Sequence, residues 1–213
     1  MNLVITIVVV FLMLVASEYL WRTKRMRGEA ARKLVHISIG TFAAFWPYFL
    51  TWPQIRLLSL AGFLLVLIAG RFKFFHVGYD VKRHSWGELF FPAVIGIGAV
   101  IAPAPIVFTA AILHLSLADG LAAVVGKKYG LLHQYRIRHY TKTLAGTLTF
   151  WLTSLLIVST VIYIGTGAIT VSYLPLIIWL PLAAAFLENI SPVGLDNLFV
   201  PLLVLIVLQA AKI

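Results

Sequence analysis

An all-α, polytopic membrane bundle of about eight transmembrane helices is the fold this sequence predicts, and three observations carry the prediction. Of 213 residues, 62% are hydrophobic and 11% are charged, against about 25% charged in a typical soluble domain. Apolar stretches recur from end to end, so no segment is left over for a soluble domain, and a single integral membrane domain over residues 1–213 is expected. The ionisable residues also segregate along the chain in a way that only a particular threading explains.

A spanning helix needs about 20 apolar residues. The spans read as 2–20, 34–51, 55–70, 89–103, 105–125, 143–164, 172–190 and 197–211. The first could pass for a signal peptide. It lacks a basic leading region and a small-x-small cleavage site, and its positive charges follow the apolar run, so a retained helix is expected. The third, fourth and eighth spans are short, which suits tilted, re-entrant or broken helices, and Pro201 should bend the eighth.

Threading eight spans places segments 21–33, 71–88, 126–142 and 191–196 on one side. That side collects Arg22, Lys24, Arg25, Arg27, Arg32, Lys33, Arg71, Lys73, Lys82, Arg83, Lys127, Lys128, Arg136, Arg138 and Lys142, leaving Arg56 and Lys212 opposite. Basic residues mark the cytoplasmic side, so both termini are expected outside. The net charge of +10 then reflects lipid head groups and topology rather than nucleic acid. With no cysteine, disulfides and thiolate metal sites are excluded.

All seven acids, Glu18, Glu29, Asp80, Glu88, Asp119, Glu188 and Asp196, fall near the same side. Salt partnership with the basic loops accounts for Glu29 and Asp80. It accounts poorly for Asp119 and Glu188, which lie inside apolar helices, where an unpartnered carboxylate costs several kcal/mol.

Five segments carry candidate chemistry. In RKLVHISIG (32–40), Arg32 and His36 share a helix face with Lys33 within a turn. Snorkelling anchors would explain the bases alone, but the histidine one turn deeper extends a polar stripe inward. In RHSWGELFFP (83–92), Ser85 and Glu88 read as a capping box, with Arg83 and His84 beside it. In SLADGLAAVVGKKYG (116–130), Asp119 stands among small residues, Gly120 included. Gly126 is expected to end the helix before Lys127 and Lys128. A carboxylate followed by two ammonium groups suits a metal-chelated polyphosphate; tight packing with Asp119 paired to Lys142 is the structural alternative.

In KTLAGT (142–147), Lys142, Thr143 and Thr147 surround free amides at a helix start, a favourable phosphate site, and Gly146 keeps the approach open. In ENISPVGLDNLFVPL (188–202), Glu188, Asn189, Asp196 and Asn197 meet across a turn of Pro192 and Gly194. Asp196 could serve only as an N-cap, yet a turn needs neither both carboxylates nor both carboxamides.

Taken in order, RKLVH, RHSWGELFFP, ADGLAAVVGKKYG, KTLAGT and ENISPVGLDNLFVPL resemble the dolichol kinase, phytol kinase and yeast-type diacylglycerol kinase family, over residues 32–202. The resemblance implies a CTP-dependent kinase acting on a lipid alcohol. It implies nucleotide and Mg²⁺ binding around Asp119 and Lys127–Lys128, and phosphate contacts from Lys142 and Thr143. It gives catalytic importance to Arg32, Lys33, His36, Glu188, Asp196 and Asn197. Asp119, with Glu188 or Asp196, would hold Mg²⁺, and Glu188, Asp196 or His36 would orient or deprotonate the alcohol. Relatives commonly carry Gly at the position of Ala118 and Arg in place of Lys127 or Lys128; the second change keeps charge and loses a bidentate fork.

Phosphatidate cytidylyltransferases share the Asp-small-small and Lys-Ser/Thr-x-x-Gly elements, so a CDP-lipid-forming enzyme is the alternative. Their Lys-Asp, His-Gly-Gly and Asp-Arg ending is replaced here by Asp196-Asn197-Leu198, which favours the kinase. A small transporter fits less well, because charges near the midplane and helix repeats are missing. The expected partners are therefore CTP, a membrane lipid alcohol and the bilayer, with homo-oligomerisation left open.

Overall fold

A computed structural model of the protein describes residues 2–26, 28–72, 86–102, 104–131, 133–137 and 140–213; the side chains of Glu29 and of residues 70–72 lie outside that description. The described chain forms eight helices: α1 (Asn2–Arg22), α2 (Gly28–Ala44), α3 (Trp52–Phe72), α4 (Gly87–Ile101), α5 (Pro105–Tyr129), α6 (Leu144–Thr166), α7 (Leu174–Ile190) and α8 (Asp196–Ala210). Short 3₁₀ turns at Trp46–Tyr48 and Val171–Tyr173 precede α3 and α7. The predicted bundle is found, and α1, α3, α5, α6 and the Val171–Ile190 segment are each long and apolar enough to cross a bilayer. At about 1.5 Å per residue, α4 and α8 reach roughly 22 Å, short of the ~30 Å hydrocarbon layer.

Helix α5 is the buried axis. Val107, Phe108, Ala110, Ala111, Ile112 and Leu115 are all but inaccessible. On one side they meet α6, α7 and α8 through Phe150, Leu180, Val204 and Leu208. On the other they meet α2, α3 and α4 through Ala43, Ile55 and Val94. The outer faces carry exposed Val4, Phe11, Leu57, Leu156, Phe186 and Ile206. Such a broad apolar exterior is what a lipid-facing bundle presents, its backbone polar groups satisfied within each helix.

The helix boundaries differ from the sequence expectation in two informative places. α2 begins at Gly28, about two turns early, because Ala31 and Lys33 are buried against the bundle and the polar turn gains packing by staying helical. α5 does not stop at Gly126. It runs through Lys127 and Lys128 to Tyr129 before Gly130 closes it, because Gly126 is a packing position rather than a terminator: a Cβ there would stand 3.2 Å from the Cα of Gly146 on α6.

Two further features were not expected. Inside α5, residues His114–Ala118 form a π-helical turn. Between α5 and α6, in what reads as a basic loop, a two-stranded antiparallel hairpin pairs β1 (Gln134–Ile137) with β2 (Tyr140–Thr143), Tyr135 opposite Lys142. Thr143 then caps α6, its Oγ1 accepting the Gly146 amide at 3.1 Å. The α7–α8 turn uses left-handed backbone at Val193 and Gly194 (φ +56° and +87°). It is tied to α4 by the Trp86 amide donating to the Val193 carbonyl at 3.0 Å.

Candidate metal and phosphate site

The three intramembrane-end carboxylates converge. Asp119 on α5, Glu188 on α7 and Asp196 on α8 each offer an oxygen, and these oxygens lie within 4.8 Å of one another. Close helix approach makes this possible. A Cβ on Gly40 would meet the Ser116 Cβ at 2.4 Å, and one on Gly120 would meet the Ile37 Cγ1 at 2.1 Å. Absence of both side chains lets α2 lie directly on α5 and deliver its polar stripe to Asp119.

That stripe is Lys33 and His36. Lys33 Nζ donates to Asp119 Oδ2, and His36 Nε2 stands 3.3 Å from the same oxygen. His36 Nε2 also lies 2.7 Å from the Leu115 carbonyl. Both neighbours of Nε2 are acceptors, so Nε2 carries its hydrogen and donates; this nitrogen is not a free base. Arg32 is half-buried in the same turn of α2.

Lys142 arrives from β2. Its Nζ donates to Glu188 Oε1 at 2.5 Å and to the Glu188 carbonyl at 3.1 Å. Lys142 therefore pairs with Glu188 and not with Asp119, the partner of the packing alternative, because α2 supplies Lys33 to Asp119 first. Asp196 follows its N-cap position, which Leu195 occupies, so it is not the N-cap of α8. Its Oδ1 is buried and accepts no hydrogen bond from any of the described residues.

A buried carboxylate oxygen without a donor is costly, and the ion pairs among the described residues set two ammonium groups against these three carboxylates. An all-oxygen set of this kind fits a hard divalent cation such as Mg²⁺. Asp119, Glu188 and Asp196 are the residues that would hold it.

The remaining sequence candidates divide. Asn197 is buried and donates from Nδ2 to the Gly87 carbonyl at 2.9 Å, binding α8 to the start of α4. Gly126 and Gly146 form the α5–α6 crossing, and the Gly146 amide is already taken by Thr143. Thr147 donates to Asn189 Oδ1 at 3.2 Å. Lys127 and Lys128 are exposed on the last turn of α5, with Lys128 Nζ 5.0 Å from the ring centre of Tyr129. Arg83, with His84 and Ser85 of the expected capping box, lies outside the described residues.

Sequence reasoning passed over Tyr135, Tyr140, His114 and Ser154. Tyr135 donates to Asn189 Oδ1 at 2.6 Å and also contacts the Thr147 hydroxyl, while the Tyr140 hydroxyl accepts the Val193 amide at 3.1 Å. These two tyrosines clamp the hairpin, and with it Lys142, onto the α7–α8 turn. Nothing in a loop rich in Arg and His marks them; only the strand alternation of Tyr135 and Ile137 hinted at order.

No family model matches the chain, and no solved structure matches it. Phytol kinase of Synechocystis sp. is 34% identical to it over 195 residues, which is 87% of this chain and 81% of that protein. Identity at this level across nearly the whole of both chains leaves no room for a shared segment alone, and the chain belongs to the lipid-alcohol kinase family that includes phytol kinase.

Proposed function

We propose that this protein transfers the γ-phosphoryl group of CTP to the hydroxyl of a lipid alcohol, of the isoprenoid class, at the cytoplasmic boundary of the membrane. The observation that carries the proposal is the cluster of Asp119, Glu188 and Asp196, interleaved with Lys33 and Lys142, at one end of an apolar bundle. The phytol kinase relative supports an alcohol acceptor and a nucleotide donor. The one-sided basic loops support the cytoplasmic face.

Phosphoryl transfer asks for positioning and charge neutralisation more than for covalent chemistry. Mg²⁺ at the three carboxylates would neutralise charge on the β- and γ-phosphates. Lys33 and Lys142 now engage carboxylate oxygens that a cation would take. With a cation there, the two ammonium groups would be free to meet phosphate oxygens within the same cluster. The alcohol keeps its tail among the exposed apolar helix faces and needs only to bring its hydroxyl to the boundary where the acids lie. Lys127 and Lys128, exposed at the end of α5, add positive potential along the approach of an anionic nucleotide.

The test uses purified protein in lipid nanodiscs, CTP labelled at the α or the γ phosphate, and a panel of phytol, polyprenol and diacylglycerol. Label from the γ position in the product of an isoprenoid alcohol supports the proposal. Label from the α position in the lipid would show a CDP-lipid synthase and sink it.

A further inference from the structure

The π-helical turn at His114–Ala118 sits immediately before Asp119, and its geometry bears directly on where that carboxylate points. In a regular α-helix the amide of residue 119 would bond to the carbonyl of residue 115. Here the Asp119 amide skips it, donating to the His114 carbonyl and sharing itself with that of Ser116. The Leu115 carbonyl accepts instead from His36 Nε2 at 2.7 Å, the same nitrogen that stands 3.3 Å from Asp119 Oδ2. A π turn accommodates one extra residue, and each residue of a helix advances the azimuth by about 100°. Without the turn, Asp119 would fall on a different face of α5 from the one that meets Lys33.

Something must stabilise this irregular turn, since π geometry is intrinsically less favourable than α. His114, fully buried, supplies a bracing contact. Its Nδ1 faces the Ala110 carbonyl at 2.7 Å and must donate, which leaves Nε2 to accept the Ser154 hydroxyl at 2.7 Å. Ser154 is equally buried, on α6. α6 also carries Thr147 and begins two residues after Lys142, at Leu144, so one helix both braces the π turn and follows the lysine paired to Glu188. Neither His114 nor Ser154 touches the carboxylates, and the chemistry proposed above does not use them.

We propose that His114 and Ser154 are positioning residues of the metal centre: their hydrogen bond holds the π turn that aims Asp119 at Glu188 and Asp196. The inference rests on the metal reading of the three carboxylates. Loss of the hydrogen bond lets the turn relax toward regular α geometry and rotates Asp119 off the cluster. Metal affinity then falls while the rest of the core stays packed.

The experiment titrates Mn²⁺, as a spectroscopic substitute for Mg²⁺, into full-length protein in nanodiscs and reads bound metal by electron paramagnetic resonance. Wild type, Asp119→Asn, Ser154→Ala and the double variant His114→Phe/Ser154→Ala are compared, each with a thermal melt. Ser154→Ala should bind Mn²⁺ about tenfold more weakly, the scale of an outer-sphere partner. It also leaves a buried ring nitrogen unsatisfied, so stability falls with it. The double variant removes both polar groups and should regain melting temperature without regaining metal affinity. Wild-type affinity in Ser154→Ala, or recovered affinity in the double variant, overturns the positioning role. A wild-type protein with no Mn²⁺ site sensitive to Asp119→Asn overturns the metal reading beneath it, an outcome separable from the other two.

Discussion

Lys33 and Asp119 stand 86 residues apart in the chain and form an ion pair whose side chains are 8% and 12% exposed. The pair joins α2 to α5 at the depth where Glu188 and Asp196 also lie. Pairs this dry do not earn much net stability, because desolvation of both ions offsets their attraction; breaking one by deleting a single partner is costly, about 3–5 kcal/mol.

Replacing Lys33 with Met is therefore expected to destabilise the protein, and a cation should reverse much of the loss. Asp119 is left without its ammonium, so three carboxylates face one another with one fewer cation to offset them. Mg²⁺ at millimolar concentration should raise the melting temperature of Lys33→Met by more than it raises that of wild type. Equal shifts in the two proteins would count against a shared metal and lysine position at Asp119.

Asp196 has a buried carboxylate oxygen that no donor among the described residues claims. Asp196→Asn keeps its shape and removes a charge that the described structure does not pair by hydrogen bond at Oδ1. Stability should change little or rise, while activity falls about 100-fold or more, in the range seen for loss of one electrostatic contact to a transition state. Kinase assays across a Mg²⁺ series, beside a melt, separate the two effects. Undiminished turnover at ordinary Mg²⁺ would remove Asp196 from the centre.

Gly40 is a case where space alone decides. Its Cβ would lie 2.4 Å from the Ser116 Cβ, on the π turn, and close to the Phe91 ring. A Cβ cannot swing away as a side-chain tip can, so Gly40→Ala must push α2 off α5. A loss of about 1–3 kcal/mol is expected, together with loss of activity, because Lys33 and His36 ride on the displaced helix. Ser116→Gly in the same chain should restore part of both. Failure of the double variant to recover anything would mean that the two helices do not pack through this contact.

Much of the fold was legible because lipid imposes a simple code: apolar length marks a helix, and basic loops mark a side. Asp119 and Glu188 stood out because carboxylates inside apolar helices have few innocent explanations, and the fold brings both together with Asp196. Their partners were not legible. Whether Lys142 faces Asp119 or Glu188 depends on which helix reaches Asp119 first, and that is set by Gly40 and Gly120 against Ser116 and Ile37, contacts across long separations. The π turn was equally hidden, since SLAD reads as regular helix and only the rerouted carbonyl of Leu115 reveals the extra residue. The hairpin escaped because four-residue strands among Arg and His carry almost no periodic signal.

Tyr135 offers the last test, of the hairpin as carrier of Lys142. Its hydroxyl donates to Asn189 Oδ1 at 2.6 Å, and its register partner across the strands is Lys142. Tyr135→Phe leaves Asn189 Oδ1 with the Thr147 hydroxyl, so no buried acceptor is orphaned and the stability cost should stay near 1 kcal/mol. The hairpin, however, loses a tyrosine tie to the end of α7, and Lys142 loses definition with it. Under the proposed reaction, in which Lys142 meets phosphate, the apparent KM for CTP should rise severalfold while kcat and the KM for the lipid alcohol change little. Steady-state kinetics with each substrate varied in turn reads this directly. A fall in kcat at unchanged KM for CTP would instead place Tyr135 in the chemical step and the hairpin inside the reacting centre.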